Sequence, residues 1–174
     1  LPLITIDGVT AKDFDDAIYV TQNAEGFRLV VAIADVSHYV KSDTRMDEEA
    51  FERGNSTYFP NFVSPMLPEN ISNGLCSLKP AVDRLALVSD IQLDYAGEIL
   101  RTDIYEAVIQ SHARVTYGQA QEVIDGETVD ELEHVRDEIL VAADLAKILM
   151  TKRFKEGSMS FEILYSQKGS ATLP

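Results

Sequence analysis

Four aspartates fall within ten residues near the start of the chain: Asp7, Asp13, Asp15 and Asp16, in Ile4-Thr-Ile-Asp-Gly-Val-Thr-Ala-Lys-Asp-Phe-Asp-Asp-Ala17. Carboxylates held this close repel and raise one another's pKa. A divalent cation among them turns that repulsion into coordination. Hard oxygen donors suit Mg²⁺, with Mn²⁺ as the second candidate, and Mg²⁺ is usually held by a few carboxylates together with waters and substrate phosphates. Asp13 and Asp15 can point the same way from an irregular segment, with Asp16 turned to the other side. That spread suits two ions about 3.5–4 Å apart, set on the attacking and leaving oxygens of a phosphodiester. The same run also reads as a solvated turn, because turns are rich in Asp, and the carboxylates alone do not separate the two readings. An EF-hand is excluded. Counted from Asp13 the sixth position is Ile18 rather than Gly, and counted from Asp7 the third is Val9. No Gly-x-x-x-x-Gly-Lys phosphate loop occurs.

The elements that position these residues follow from pattern. Leu3 to Ile6 reads as a strand delivering Asp7, and Gly8 permits a turn. Ala17 to Val20 and Phe27 to Ala34 read as strands joined by the turn Asn23-Ala-Glu-Gly26. A helix is expected over Thr44 to Arg53, capped by Ser42 or Asp43 and stopped by Gly54. Tyr58 to Pro68 carries three prolines and reads as a loop, and Asn70 to Leu78 as one short helix. Arg84 to Leu93 and Ile99 to Ile109 form a long hairpin around Asp94-Tyr-Ala-Gly-Glu98. Thr116 caps a helix from Tyr117 to about Ile124. Leu132, Val135, Ile139, Ala142, Ala146 and Leu149 recur at helical spacing. Acidic residues open that helix and Lys152, Arg153 and Lys155 close it, in the sense the helix dipole favours. Gly157 ends it, and Ser160 to Leu164 returns to strand character. Strands first and helices after favour an α+β fold, with a mixed, largely antiparallel sheet and packed helices.

Composition sets the outer bounds. The chain has 174 residues, 45% of them apolar, enough for one core, and a net charge of −14. Such a charge repels polyanions and speaks against a free-standing nucleic-acid binder. The single cysteine, Cys76, cannot form an intrachain disulfide and sits among apolar neighbours as a buried small side chain. That suits a reducing cytoplasm, and no apolar run is long enough to span a membrane. His38 reads as a surface or capping residue. His112 and Arg114 read as structural, with a phosphate contact open to Arg114, and His134 reads as solvated. No two histidines have zinc-ligand spacing.

Read together, Thr5-Ile-Asp-Gly-Val-Thr-Ala-Lys-Asp-Phe-Asp-Asp-Ala17 resembles the opening motif of the catalytic (RNB) domain of the ribonuclease II / ribonuclease R exoribonucleases. Val31 to Val40, Gly54 to Pro60, Pro65 to Pro68, Ile71 to Leu78, Val82 to Ala86, Ser111 to Tyr117 and Gly157 to Glu162 are similar to later segments of that domain, in order. Val36-Ser-His-Tyr39 and Ser72-Asn-Gly-Leu-Cys-Ser77 lie nearer the ribonuclease R branch. The resemblance implies Mg²⁺-dependent, processive 3′-to-5′ hydrolysis of RNA to nucleoside 5′-monophosphates. It implies Asp7 and Asp16 as direct metal ligands, Asp13 acting through water and Asp15 critical for the catalytic step. It implies Tyr58 as the aromatic that orients the terminal nucleotide, by a stacking that tolerates any base.

On this reading residues 1–174 are the N-terminal portion of a larger catalytic domain, both ends are cuts, and the piece alone is inactive. The family's further aromatic clamp, its glutamate and arginine near the scissile phosphate, and its flanking cold-shock and S1 domains are absent. Those domains carry the positive charge that this −14 stretch lacks. Two other readings stay open. One is a metal-dependent glycosyltransferase using Asp13-Phe-Asp15 to hold a nucleotide-sugar. The other is a non-catalytic RNA or protein interaction module.

Overall fold

A computed structural model of the chain describes residues 1–59 and 62–159. Five strands close a barrel in the order β1 (Leu3–Asp7), β2 (Asp16–Asn23), β3 (Gly26–Ala34), β6 (Asp83–Leu93) and β7 (Ile99–Thr116). Neighbours are antiparallel except at the seam, where β7 runs parallel to β1 from Leu3↔Ser111 to Asp7↔Thr116. The mixed, largely antiparallel sheet of an α+β fold is therefore present, and its closure is the added finding. The helices are α1 (Val36–Tyr39), α2 (Arg45–Arg53), α3 (Tyr117–Ile124) and α4 (Arg136–Lys155). Among the described residues no helix is long and apolar enough to cross a membrane.

Both faces of the sheet are apolar, and each is covered differently. Leu3, Ala17, Val30, Ala32, Ala34, Ala86 and Val88 form one face, and Phe14, Leu67, Ile71, Cys76 and Leu78 pack against it from the loops. The alternate positions, Ile4, Ala113, Val115, Val20 and Phe27, meet α3, α4 and the turn before α4 through Val123, Leu132, Val135, Ile139 and Leu145. One face is thus closed by α3 and α4, and the other by the aspartate loop through Phe14 together with residues 67–78 and residues of α1 and α2.

Several expected elements differ in detail. Thr44, rather than Ser42 or Asp43, caps α2, its hydroxyl accepting from the Asp47 amide. The proline-bearing stretch holds a two-stranded hairpin, β4 (Thr57–Tyr58) with β5 (Val63–Ser64), because its prolines lie outside the paired positions. The short helix expected over Asn70 to Leu78 is a single π-helical turn, Ile71–Leu75. Leu132 and Val135 belong to a 3₁₀ turn, Asp130–Val135, which buries them at the same spacing before α4 begins. The strand expected over Ser160 to Leu164 lies outside the described residues. Thr116 caps α3 with a full capping box to Gln119.

The barrel wall carries one bidentate ion pair. Arg28 Nε and NH2 donate to the two oxygens of Asp90 at 2.9 and 2.6 Å. The hydrogen bonds from Arg28 hold the Asp90 carboxyl below the usual carboxylate range. Asp90→Asn is expected to cost about 1 kcal/mol, at the upper end for a pair that is partly exposed. The sign with pH follows from the lowered value. Asp90's contribution is complete above the unfolded carboxylate pKa of about 3.9 and is lost as pH falls through the lower folded value. Urea unfolding at pH 7 should therefore separate wild type from Asp90→Asn, and the gap should close toward pH 3.

Candidate functional site

Asp7 is the last residue of β1 and Asp16 the first of β2, so the barrel itself places both. Asp13 and Asp15 come from the loop between them, and that loop is pinned atom by atom. The Ser77 hydroxyl donates to the Lys12 carbonyl at 2.8 Å and accepts from the Phe14 amide at 3.1 Å. The Phe14 carbonyl accepts from the Leu78 amide at 2.8 Å, and the Asp15 carbonyl from the Ala34 amide at 2.9 Å. At the loop's other end Arg114 donates through one NH2 to the carbonyls of Gly8 and Val9 at 3.3 and 2.6 Å. Its guanidinium carbon lies 5.3 Å from the centre of the Phe14 ring. Phe14 is 5% exposed and anchors the loop in the core, which leaves Asp13 and Asp15 on its outer side.

Asp13 and Asp15 line one cleft of about 380 Å³ together with Tyr58, Ser72 and Cys76. A second cleft of about 540 Å³ adjoins it, shared by Gly8, Lys12, Asp13, Tyr58, Glu69 and Asn73. Tyr58, on β4, is 69% exposed and faces this space with Asp13. The structure thus brings Asp13, Asp15 and Tyr58 onto one cleft, with Asp7 and Asp16 at the strand ends beside it.

Electrostatics ties the four carboxylates into one group. Burial, and then the charges of Asp16 and Asp13, push the Asp7 carboxyl up, with Arg114 pulling it back. Burial, then Asp13, Asp16 and Asp7, push the Asp15 carboxyl up, although its side chain reaches solvent. Asp16 is thus the strongest carboxylate neighbour of Asp7, and Asp13 that of Asp15. Their side-chain oxygens do not meet at one point. Among the described residues no three Asp, Glu, His or Cys side chains stand at metal-ligating spacing. The donor chemistry nonetheless fits a hard divalent cation: four coupled carboxylates, Asp7 and Asp15 disfavoured in their charged form by burial and then by their neighbours, with none of the four in a salt bridge among the described residues.

The remaining candidates fall outside this group. His38 is exposed, its ring edge-to-face with Tyr39, and its amide caps onto Asp35. His134 is exposed and meets the His112 carbonyl. Cys76 is buried, which pushes its thiol pKa up and keeps it a packing residue. Ser77 and the loop-holding role of Arg114 were not visible in sequence. Ser77 sits 63 residues from the amide it bonds, and a serine among apolar neighbours carries no pattern.

Comparison with known proteins adds independent findings. Residues 1–170 match the family model described as the RNB domain. Ribonuclease R of Vibrio cholerae serotype O1 is 48% identical over 168 residues, covering 93% of this chain and 20% of that protein. The structure of Mycoplasma genitalium RNase R in complex with double-stranded RNA superposes with a TM-score of 0.88 at 39% identity, covering 92% of this chain and 29% of that one. Yeast Ssd1, a pseudonuclease, shares the fold at a TM-score of 0.74 and 19% identity, covering 88% of this chain and 18% of that one. The chain spans about a fifth of the length of the curated relatives it matches.

Proposed function

The chain belongs to the RNB-domain family, and from that premise we propose that it is part of the catalytic domain of a ribonuclease R-type exoribonuclease, hydrolysing RNA from the 3′ end. The observation that carries the reading is the shared cleft of Asp13, Asp15 and Tyr58 within a stretch 48% identical to a ribonuclease R. Neither a nucleotide-sugar enzyme nor its substrate chemistry finds support in these matches.

In this reading Asp7 and Asp16 hold Mg²⁺ from the strand ends, Asp13 acts through water, and Asp15 is the carboxylate on which the chemical step depends. The cation, when bound, supplies charge neutralisation at the phosphodiester and an activated water. Tyr58 stacks on the terminal base and sets how far the strand enters the cleft. The clamped loop keeps Asp13 and Asp15 at fixed depth, so that the phosphate meets preplaced groups rather than recruiting them. The positive charge that holds RNA comes from the rest of the polypeptide, since this stretch carries −14.

The test uses the full-length protein on 5′-labelled single-stranded RNA. Expected are stepwise loss from the 3′ end, release of nucleoside 5′-monophosphates, arrest by EDTA and recovery with Mg²⁺. Internal cleavage, or RNA left intact with Mg²⁺ present, would overturn the proposal.

A further inference from the structure

We propose that Ser77 is a positioning residue for the aspartate loop, acting with Arg114 as a two-point clamp that holds Asp13 and Asp15 where a divalent cation needs them. The inference rests on the function proposed above. Ser77 is fully buried, and its single hydroxyl spans the two peptide groups on either side of Asp13: it donates to Lys12 O and accepts from Phe14 N. No other hydroxyl among the described residues makes such a bridge to this loop. Leu78, the next residue, takes the next peptide through its amide, so Ser77 and Leu78 hold the Asp13-Phe14 main chain much as a neighbouring strand would.

Ser77 is itself held. Arg84 Nε donates to the Ser77 carbonyl at 2.8 Å, and Arg84 NH2 to the Gly74 carbonyl at 3.0 Å. The anchor is therefore tied to β6 rather than to a free loop. On the opposite side Arg114 spends one nitrogen on Gly8 and Val9, while its Nε is buried with no hydrogen-bond partner among the described residues. Burying a donor nitrogen without a partner is costly, even where the rest of the guanidinium is part-exposed. Arg114's place is thus determined by the loop carbonyls, the Phe14 ring and the field of Asp7, rather than by full hydrogen-bond satisfaction.

Asp13 and Asp15 on the loop face like charges at the strand ends, Asp7 and Asp16, and a clamp on the loop main chain opposes the resulting outward push without touching the carboxylates. Outer partners that orient metal ligands typically contribute 10–100-fold in metal affinity or activity. In the full-length protein, Ser77→Ala is expected to raise the Mn²⁺ dissociation constant in calorimetry about tenfold or more. It should lower turnover with KM for RNA unchanged, and speed hydrogen exchange in the peptide spanning residues 8–17. Val123→Ala, on the buried face of α3 and outside the hydrogen bonds that hold the loop, is the stability control. It should lower Tm while leaving Mn²⁺ affinity and loop exchange as in wild type. Ser77→Ala with wild-type Mn²⁺ affinity and loop exchange would overturn the clamp, as would Val123→Ala matching its effects. If Ser77→Ala does not fold, Arg114→Gln carries the same two readouts with the same expectations. Wild-type protein that takes up no Mn²⁺ overturns the function proposed above, and loop exchange alone then decides whether Ser77 holds the loop.

Discussion

Asp15→Asn in the full-length protein is expected to lower single-turnover RNA hydrolysis by about 10³-fold, the scale on which one preorganised electrostatic group acts. Asn keeps the size of the side chain and removes only the charge. The main-chain bond from the Ala34 amide to the residue-15 carbonyl is unaffected, so the loop keeps its course. The folded protein already disfavours the Asp15 charge through burial and three neighbouring carboxylates. Removing it should therefore leave Tm in EDTA unchanged or raised. RNA binding should hold or strengthen, because one negative charge has left the path of a polyanion. Lost turnover with intact stability and intact binding is the signature of a chemical role. Activity within tenfold of wild type would mean that Asp15 is not the carboxylate on which the chemical step depends. Equal losses of binding and turnover would mean that Asp15 serves the substrate rather than the reaction.

What sequence could show here depends on range. β1 and β3 were legible because Leu3 to Ile6 and Phe27 to Ala34 carry β-branched residues on both faces, and α3 because Thr116 is a local cap signal, to which the structure adds Gln119 as the other half of a capping box. β7 was read as ending at Ile109, yet it continues to Thr116. Ser111, Ala113 and Val115 are buried there against β1, a pairing made across more than a hundred residues that no window contains. Closure of the barrel is that same long-range event. The prolines around Tyr58 hid a short strand pair, Thr57–Tyr58 with Val63–Ser64. At the site, the acidic run was visible as a cluster, but its depth and direction are set by Phe14, Ser77, Leu78 and Arg114, whose partners lie far along the chain. Tyr58 was singled out by resemblance alone. Its place on the Asp13 cleft is a structural fact, and its role as a stacking platform is the proposal.

The turn joining β2 to β3 carries the largest expected stability effect. Gly26 has a φ of +138°, a region that L side chains rarely adopt. A Cβ there would lie 2.3 Å from the Leu93 carbonyl oxygen and 2.6 Å from the Asp94 carbonyl carbon. Both are main-chain atoms, so no side chain can swing aside. They belong to the end of β6 and the turn that follows it, and Leu93 pairs directly with Phe27. Relief would have to come from parting β3 and β6. The turn cannot shift as a unit either. Asn23 Oδ1 accepts from the Glu25 and Gly26 amides, the Asn23 and Gln92 side chains exchange hydrogen bonds, and Tyr95 donates its hydroxyl to the Asn23 carbonyl. Strained backbone and a forced main-chain contact each cost about 1–3 kcal/mol. Gly26→Ala is therefore expected to lose at least about 3 kcal/mol, near 10 °C in Tm for a domain of this size. Gly118→Ala is the matched control. It lies in the first turn of α3 with nothing within 4 Å of its added methyl, and should be neutral or stabilising by up to about 1 kcal/mol. Thermal unfolding followed by circular dichroism reads both. Two alanines that shift Tm alike would mean that the approach of β6 to Gly26 is not what holds this corner of the barrel shut.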